Sequence, residues 1–193
     1  MNYTEQTEDE KIIRSKKMML WFGIISLSMM FAGLTSAYIV SKERRDWLTD
    51  FDLPQAFYIS TAVILMSSLT MFLAKHFIKR EENGKGEVFL VLTFILGIAF
   101  VYLQFLGFDQ IISSGYFFTG SESTITTSFI YAFVITHIVH IAAGLIVLVV
   151  VLINQFRGKY KKGDTLGVEL GATFWHFVDI LWVYLFLFLM FFR

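Results

Sequence analysis

The last apolar stretch of the chain, residues 172–192, reads ATFWHFVDILWVYLFLFLMFF. Its ionisable side chains are His176 and Asp179, and almost all the other residues are apolar or aromatic. About 20 residues of α-helix cross a hydrocarbon core of roughly 30 Å. The stretch lacks the period-two alternation of a membrane β-strand, which favours a helix. We therefore predict a transmembrane helix at this end of the chain.

Four further apolar stretches of similar length lie outward from this one, each bounded by charged or turn residues. They cover residues 18–40, 55–74, 88–108 and 127–153. Of the 193 residues, 56% are hydrophobic and 17% are charged, whereas about 25% are charged in a typical soluble domain. The mean hydropathy is +0.64. The sequence therefore predicts an all-α membrane protein, with a single five-helix domain over residues 18–193.

The composition also limits the chemistry that the chain supports. It has no Cys, which excludes disulfides, iron–sulfur clusters, thiolate zinc sites and thiolate-bridged copper centres. The formal net charge is zero, so no nucleic-acid partner is predicted. There are four His in total, too few for a haem–copper catalytic subunit, and His137 and His140 share one helix face. We therefore predict that this chain binds no metal and no redox cofactor.

The basic residues predict how the helices are oriented in the membrane. Five crossings place residues 1–17, 75–87 and 154–171 on one side, and these segments carry twelve of the sixteen Lys and Arg. Because basic residues accumulate in cytoplasmic loops, the N-terminus is predicted to be cytoplasmic and the C-terminus external. Residues 1–17 contain four acidic residues and precede a 23-residue apolar run, which does not fit a cleaved signal peptide. They are interpreted as a cytoplasmic N-terminal segment.

Ionisable residues inside transmembrane helices are concentrated on the last two helices. His137 and His140 lie three residues apart on the fourth helix, and Glu169, His176 and Asp179 share one face of the fifth. Matching depths predict that these faces meet, with His140 or His137 reaching Asp179 or Glu169. A structural hydrogen-bonded cluster is the preferred interpretation. Proton handling and a metal site remain alternatives.

Other polar and aromatic residues are predicted to pack the helices together. Ser67, Ser68 and Gln104 can form hydrogen bonds between helices in lipid. The last helix is aromatic almost all round and includes Trp175 and Trp182. Its aromatic side chains are interpreted as a lipid-facing or subunit-facing packing surface.

The run Phe-Trp-His-Phe-Val-Asp at 174–179, followed by Trp182, resembles the signature of cytochrome c oxidase subunit III in the haem–copper oxidases. That family has Tyr-Trp-His-Phe-Val-Asp, a Trp three residues later and a Glu seven residues before the His, which Glu169 matches. Three other segments are similar to the family's helices. They are His137 and His140 followed by Gly144, Leu103-Gln104, and Ser67-Ser68-Leu69-Thr70.

The resemblance implies the short, five-helix form of the family, which lacks the first two helices of the seven-helix form. It implies an accessory subunit in a bacterial plasma membrane. This subunit would pack against a catalytic subunit I that holds haem and copper, and would also contact subunit II. Such a subunit carries no metal, keeps the catalytic subunit active, supports proton uptake and contacts phospholipid. A larger respiratory assembly is compatible with this role.

Two positions depart from the family pattern. A membrane-buried Glu that usually follows a Ser on the first of these helices is replaced by Leu27, after Ser26. The acid three residues beyond the family's Gln is replaced by Gly107, after Gln104. The resemblance therefore does not extend to a role that depends on the first carboxylate, which is the one linked to carbodiimide reactivity.

Three other functions remain open at this point. The chain resembles equally well the subunit III of a quinol oxidase and the related accessory protein of nitric oxide reductase. A stand-alone transporter built around the His and Asp cluster belongs to a different class. An intramembrane hydrolase is disfavoured because no nucleophile–base arrangement is recognisable.

Overall fold

The computed structural model describes residues 8–44, 47, 53–116, 124–160 and 165–192. These residues form five α-helices, which are α1 (Glu8–Ser41), α2 (Gln55–Lys79), α3 (Asn83–Ser113), α4 (Ile125–Phe156) and α5 (Leu166–Phe192). All five are long and apolar enough to cross a membrane. The predicted all-α architecture with five membrane helices is confirmed.

Every helix extends beyond its predicted apolar core. The largest difference is at α1, which begins at Glu8, so residues 8–17 of the predicted N-terminal segment are helical and continuous with the first membrane helix. The apolar length of a stretch defines the part in lipid, whereas Glu, Lys and Arg are good helix formers that prolong the helix into the interface. Residues 1–7 of the predicted N-terminal segment lie outside the described residues, as do Arg45, Lys161, Lys162 and Arg193 from the charge count.

Local signals account for several helix ends. Pro54 precedes α2, where a residue without an N–H is tolerated. Thr124 caps α4 by accepting a hydrogen bond from the Thr127 N–H, and its own N–H donates to the Thr127 hydroxyl. Between α2 and α3, Glu81 adopts a left-handed conformation with φ of 61°. This reversal makes α2 and α3 an antiparallel hairpin.

The helices pack around α5, which lies against α1, α2 and α4. In the described residues, α1 contacts α4 and α5 but has no close backbone contact with α2 or α3. The interior is built mainly from aromatic and branched side chains of α2, α3, α4 and α5, and α1 adds the buried rings of Phe31 and Tyr38. Helix α1 is therefore peripheral, and α5 is central.

Candidate functional site: a polar seam between α2 and α5

Two buried tryptophans of α5 form hydrogen bonds with hydroxyls of α2. The Trp175 indole N–H donates to Ser67 Oγ at 3.0 Å, and that of Trp182 donates to Thr61 Oγ1 at 3.0 Å. Each side chain is 1% exposed. Trp175 and Trp182, which were assigned to helix packing, therefore lie inside the bundle and not on a lipid-facing surface. A buried indole N–H needs an acceptor, and α2 supplies hydroxyls at the matching heights.

The ring of Trp175 occupies a slot formed by two glycines. A Cβ atom on Gly97 of α3 would lie 2.8 Å from the Trp175 ring, and one on Gly144 of α4 would lie 3.2 Å from it. Only hydrogen at these positions lets α3 and α4 approach the ring closely. Both glycines thereby help to fix the rotation of α5 in the bundle.

His176 and Asp179 also face α2. His176 Nδ1 shares a hydrogen bond of 2.7 Å with Ser68 Oγ. Asp179 is 2% exposed, and neither carboxyl oxygen has a hydrogen bond within the described part of the chain. The Ser68 hydroxyl is nevertheless close enough to interact with the carboxyl group. Ser68 thus lies between a histidine and a buried acid.

The α2–α5 contacts described so far form a polar seam, and further hydrogen bonds extend it to the interface between α2 and α3. Gln104 Nε2 donates to Ser60 Oγ at 3.0 Å, and the hydroxyls of Thr70 and Thr93 are 2.9 Å apart. Ser67 Oγ also lies 3.5 Å from the Thr93 carbonyl oxygen. The structure places Ser67, Ser68 and Gln104 in hydrogen bonds between helices, so α2 is bonded on one side to α3 and on the other to α5.

The predicted contact between the histidines of α4 and the acids of α5 is not formed. His137 is fully buried between the rings of Phe100 and Trp182, and in the described structure neither ring nitrogen has a hydrogen bond. His140 Nδ1–H donates to the Thr136 carbonyl at 2.6 Å. The prediction compared depths in the membrane, but depth does not determine how each helix is rotated about its axis. The polar face of α5 is turned toward the hydroxyls of α2.

At one end of the seam, Glu169 joins three helices. Lys79 Nζ of α2 lies 2.5 Å from Glu169 Oε1, and Lys17 Nζ of α1 lies 3.8 Å from Oε2. A cavity of about 210 Å³ beside these groups is lined by Lys17, Lys75, Glu169 and Thr173, with three apolar residues. The sequence analysis used these lysines only to orient the helices. The position of Lys79 in the last turn of α2 and of Glu169 in the first turn of α5 was the sequence signal that an ion pair was available.

A separate apolar groove of about 480 Å³ lies between α1, α4 and α5. Its walls include Leu20, Val147, Val151 and Phe174, and its polar lining includes Asn154. The groove has the length and character of an acyl-chain site. Leu27, at the position of the family's buried Glu, is half-buried on α1.

The described residues contain no group of three or more His, Cys, Asp or Glu side chains that could hold a metal ion. His176, Asp179 and Glu169 are spread along α5, and Ser68 or lysines are their neighbours. The chemistry that this arrangement can perform is therefore hydrogen bonding and proton transfer.

Comparison with known proteins identifies the family. The model of the family described as "Cytochrome c oxidase subunit III" matches residues 46–193. The chain belongs to the cytochrome c oxidase subunit III family. The match covers α2 to α5, which include the whole seam, so this chain is an accessory subunit III of a haem–copper oxidase.

Relatives in this family include oxidase subunits with different names. The chain is 26% identical over 177 residues to cytochrome c oxidase subunit 3 of Bacillus sp. strain PS3, covering 90% of this chain and 84% of that protein. It is 30% identical over 171 residues to cytochrome bo(3) ubiquinol oxidase subunit 3 of Pseudomonas aeruginosa, covering 86% and 79%. Against cytochrome c oxidase subunit 3 of Tetraodon nigroviridis, the identity is 31% over 72% of this chain and 50% of that protein.

Proposed function

We propose that this subunit III belongs to a terminal oxidase of a bacterial plasma membrane that reduces O₂ to water and pumps protons. Its partners would be a catalytic subunit I that holds the haem and copper, and a subunit II. The observation that carries the proposal is the family match over α2 to α5. The excess of basic residues on one side supports an N-terminus in the cytoplasm. The complex could in turn join a larger respiratory assembly.

Cytochrome c is the proposed electron donor, in keeping with the names of the family and of the Bacillus relative. A quinol is the second candidate, and the specific observation that favours it is the 30% identity to the ubiquinol oxidase subunit of Pseudomonas aeruginosa. In this proposal the donor is recognised by another subunit of the complex.

The proposed contribution of this chain is to stabilise the catalytic subunit and to assist proton uptake. His137, His140, Glu169, His176 and Asp179 are the residues assigned to this role, as an interhelical polar cluster that handles protons. The hydroxyl row of α2 consists of Ser60, Thr61, Ser67, Ser68 and Thr70. It supports a stabilising role, since it joins α2 to both α3 and α5. The apolar groove beside α1 is proposed to hold phospholipid chains.

A pull-down in mild detergent tests the proposal. The tagged chain is expected to bring down a haem-containing complex, identified by visible absorption and by the masses of its subunits. A dicopper subunit in the complex supports cytochrome c as the donor, and its absence supports quinol. Recovery of the chain alone, colourless and stable, would overturn the assignment to an oxidase complex.

A further inference from the structure

The face of α5 that meets α2 carries a line of polar groups from the membrane surface to the bundle interior. Glu169, Thr173, His176 and Asp179 are spaced by four, three and three residues, so they follow one face of the helix. Ten residues at about 1.5 Å each place Asp179 roughly 15 Å deeper than Glu169. This line of polar groups therefore runs from an ion pair at the end of α5 to a buried acid.

The half of this line nearest Glu169 borders a cavity. The cavity of about 210 Å³ contacts Lys17, Lys75, Glu169 and Thr173, which is enough volume for several water molecules at roughly 30 Å³ each. The Lys75 ammonium group interacts electrostatically with both Glu169 and His176. The half-buried His176, three residues beyond Thr173, is the next titratable group of α5 after the cavity lining.

The half of the line nearest Asp179 consists of three side chains, those of His176, Ser68 and Asp179. His176 Nδ1 and Ser68 Oγ are 2.7 Å apart, and Ser68 also interacts with the Asp179 carboxyl group. Asp179 has two buried oxygens without a hydrogen bond in the described structure, which is costly for a carboxylate in a medium of low dielectric constant.

We propose that Asp179 is a proton-binding site in the membrane interior, filled from the Glu169 surface through His176 and Ser68. This inference rests on the proposed role in proton uptake and assigns the residues that carry it out. In the transfer, protonated His176 gives its Nδ1 proton to Ser68 Oγ while the Ser68 hydroxyl proton moves to the Asp179 carboxylate. His176 and Asp179 both become neutral and Ser68 is unchanged, so two charges leave the low-dielectric interior.

The charged groups around this line are compatible with proton transfer from His176 toward Asp179. The charged and titratable side chains around the line are Lys17 on α1, Lys75 and Lys79 on α2, His137 on α4, and Glu169 and His176 on α5. Helix α3 contributes the neutral Gln104. The lysines lie at the Glu169 end, where Glu169 compensates part of their charge, and His137 lies against Trp182.

Infrared spectroscopy of the purified oxidase complex tests the proton-binding site. A protonated carboxylic acid gives a C=O stretch that shifts on transfer to D₂O and is absent from a carboxylate. We expect the difference between the wild-type and Asp179→Asn complexes to contain this band. Asp109→Asn is the matched control, because Asp109 is an exposed acid at the far end of α3. Identical spectra for the wild-type and Asp179→Asn complexes would overturn the proposal.

The rate at which this band shifts in D₂O tests the route. We expect Ser68→Ala and His176→Gln to retain the band but to slow its exchange by about tenfold or more, as expected when one hydrogen bond of a relay is removed. Ser28→Ala is the control, because the Ser28 hydroxyl bonds only within α1. Exchange at the wild-type rate in Ser68→Ala would refute the route, even if Asp179→Asn failed to assemble. Neither result affects the pull-down, so membership of an oxidase complex is judged separately.

Discussion

Helices α1 and α5 are both long apolar spans, yet they have opposite places in the bundle. In the most apolar 18-residue stretch of α5, 50% of the residues are buried, whereas the figure for α1 is 17%. The interior side chains of α5 bond to α2 and fill the slot between α3 and α4. Hydropathy does not separate these two roles, because lipid and a protein interior are similarly apolar. The hydrogen bonds to α2 and the close packing against glycines of α3 and α4 do separate them.

The contrast between α5 and α1 is expected to be largest at their tryptophans. Trp175→Ala should lower the free energy of unfolding by about 3–5 kcal/mol, because it leaves a cavity and removes the hydrogen bond from the indole N–H to Ser67. Trp21→Ala on α1 is the control, since Trp21 is 58% exposed and should cost less than about 0.5 kcal/mol. Unfolding of the complex in a denaturing detergent measures both. Equal losses for the two variants would show that α1 is as firmly packed as α5.

A second test uses paired glycines. Gly97→Ala would place a methyl group 2.8 Å from Trp175 and 2.9 Å from Leu145, and we expect it to destabilise the protein by about 1–3 kcal/mol. Gly23→Ala on α1 meets no atom within 4 Å and should be neutral or stabilising by up to about 1 kcal/mol, because Ala favours helix. The same detergent titration distinguishes the two. A neutral Gly97→Ala would argue against the Trp175 slot.

Helix α1 is joined to α5 by a hydrogen bond near its C-terminal end, where Tyr38 is buried. The Tyr184 hydroxyl donates to Thr35 Oγ1 at 3.2 Å. Tyr184→Phe should cost about 0.5–1 kcal/mol and should increase hydrogen exchange in the C-terminal half of α1 while leaving α2 unchanged. Exchange of backbone amides followed by mass spectrometry reads both helices at once. Faster exchange in α2 as well would indicate that α1 supports the whole bundle.

The smallest effect is expected at the surface ion pairs. Lys17→Gln removes a contact of 3.8 Å between side chains that are 51% and 28% exposed, and should change stability by less than about 0.5 kcal/mol. Lys79→Gln removes the closer contact of 2.5 Å to the same carboxylate and should cost more, up to about 1 kcal/mol. Both effects should shrink in high salt. A larger loss for Lys17→Gln would reverse the order of the two contacts.

The number and positions of the helices could be predicted because apolar length is a direct property of the sequence. The rotation of each helix could not. His140 and Asp179 were placed at similar depths, but His140 donates to the Thr136 carbonyl of its own helix while the carboxyl group of Asp179 lies beside Ser68 on α2. The choice between α2 and α4 as the partner of the polar face depends on where indole and imidazole groups find acceptors in three dimensions. The family signature singled out Trp175, His176 and Asp179 without indicating which helix they face.

The hydroxyl row of α2 has a consequence for how the protein is made. Ser67 and Thr61 are separated by 108 and 121 residues from the indoles that they accept from. During synthesis, α2 therefore enters the bilayer long before α5 exists, and until then Ser67 and Thr61 lack their indole donors. A chain that stops before α5 would insert into the bilayer but would lack the central helix against which the other helices pack. Quality control should recognise such a product by the exposed hydroxyl row of its second helix.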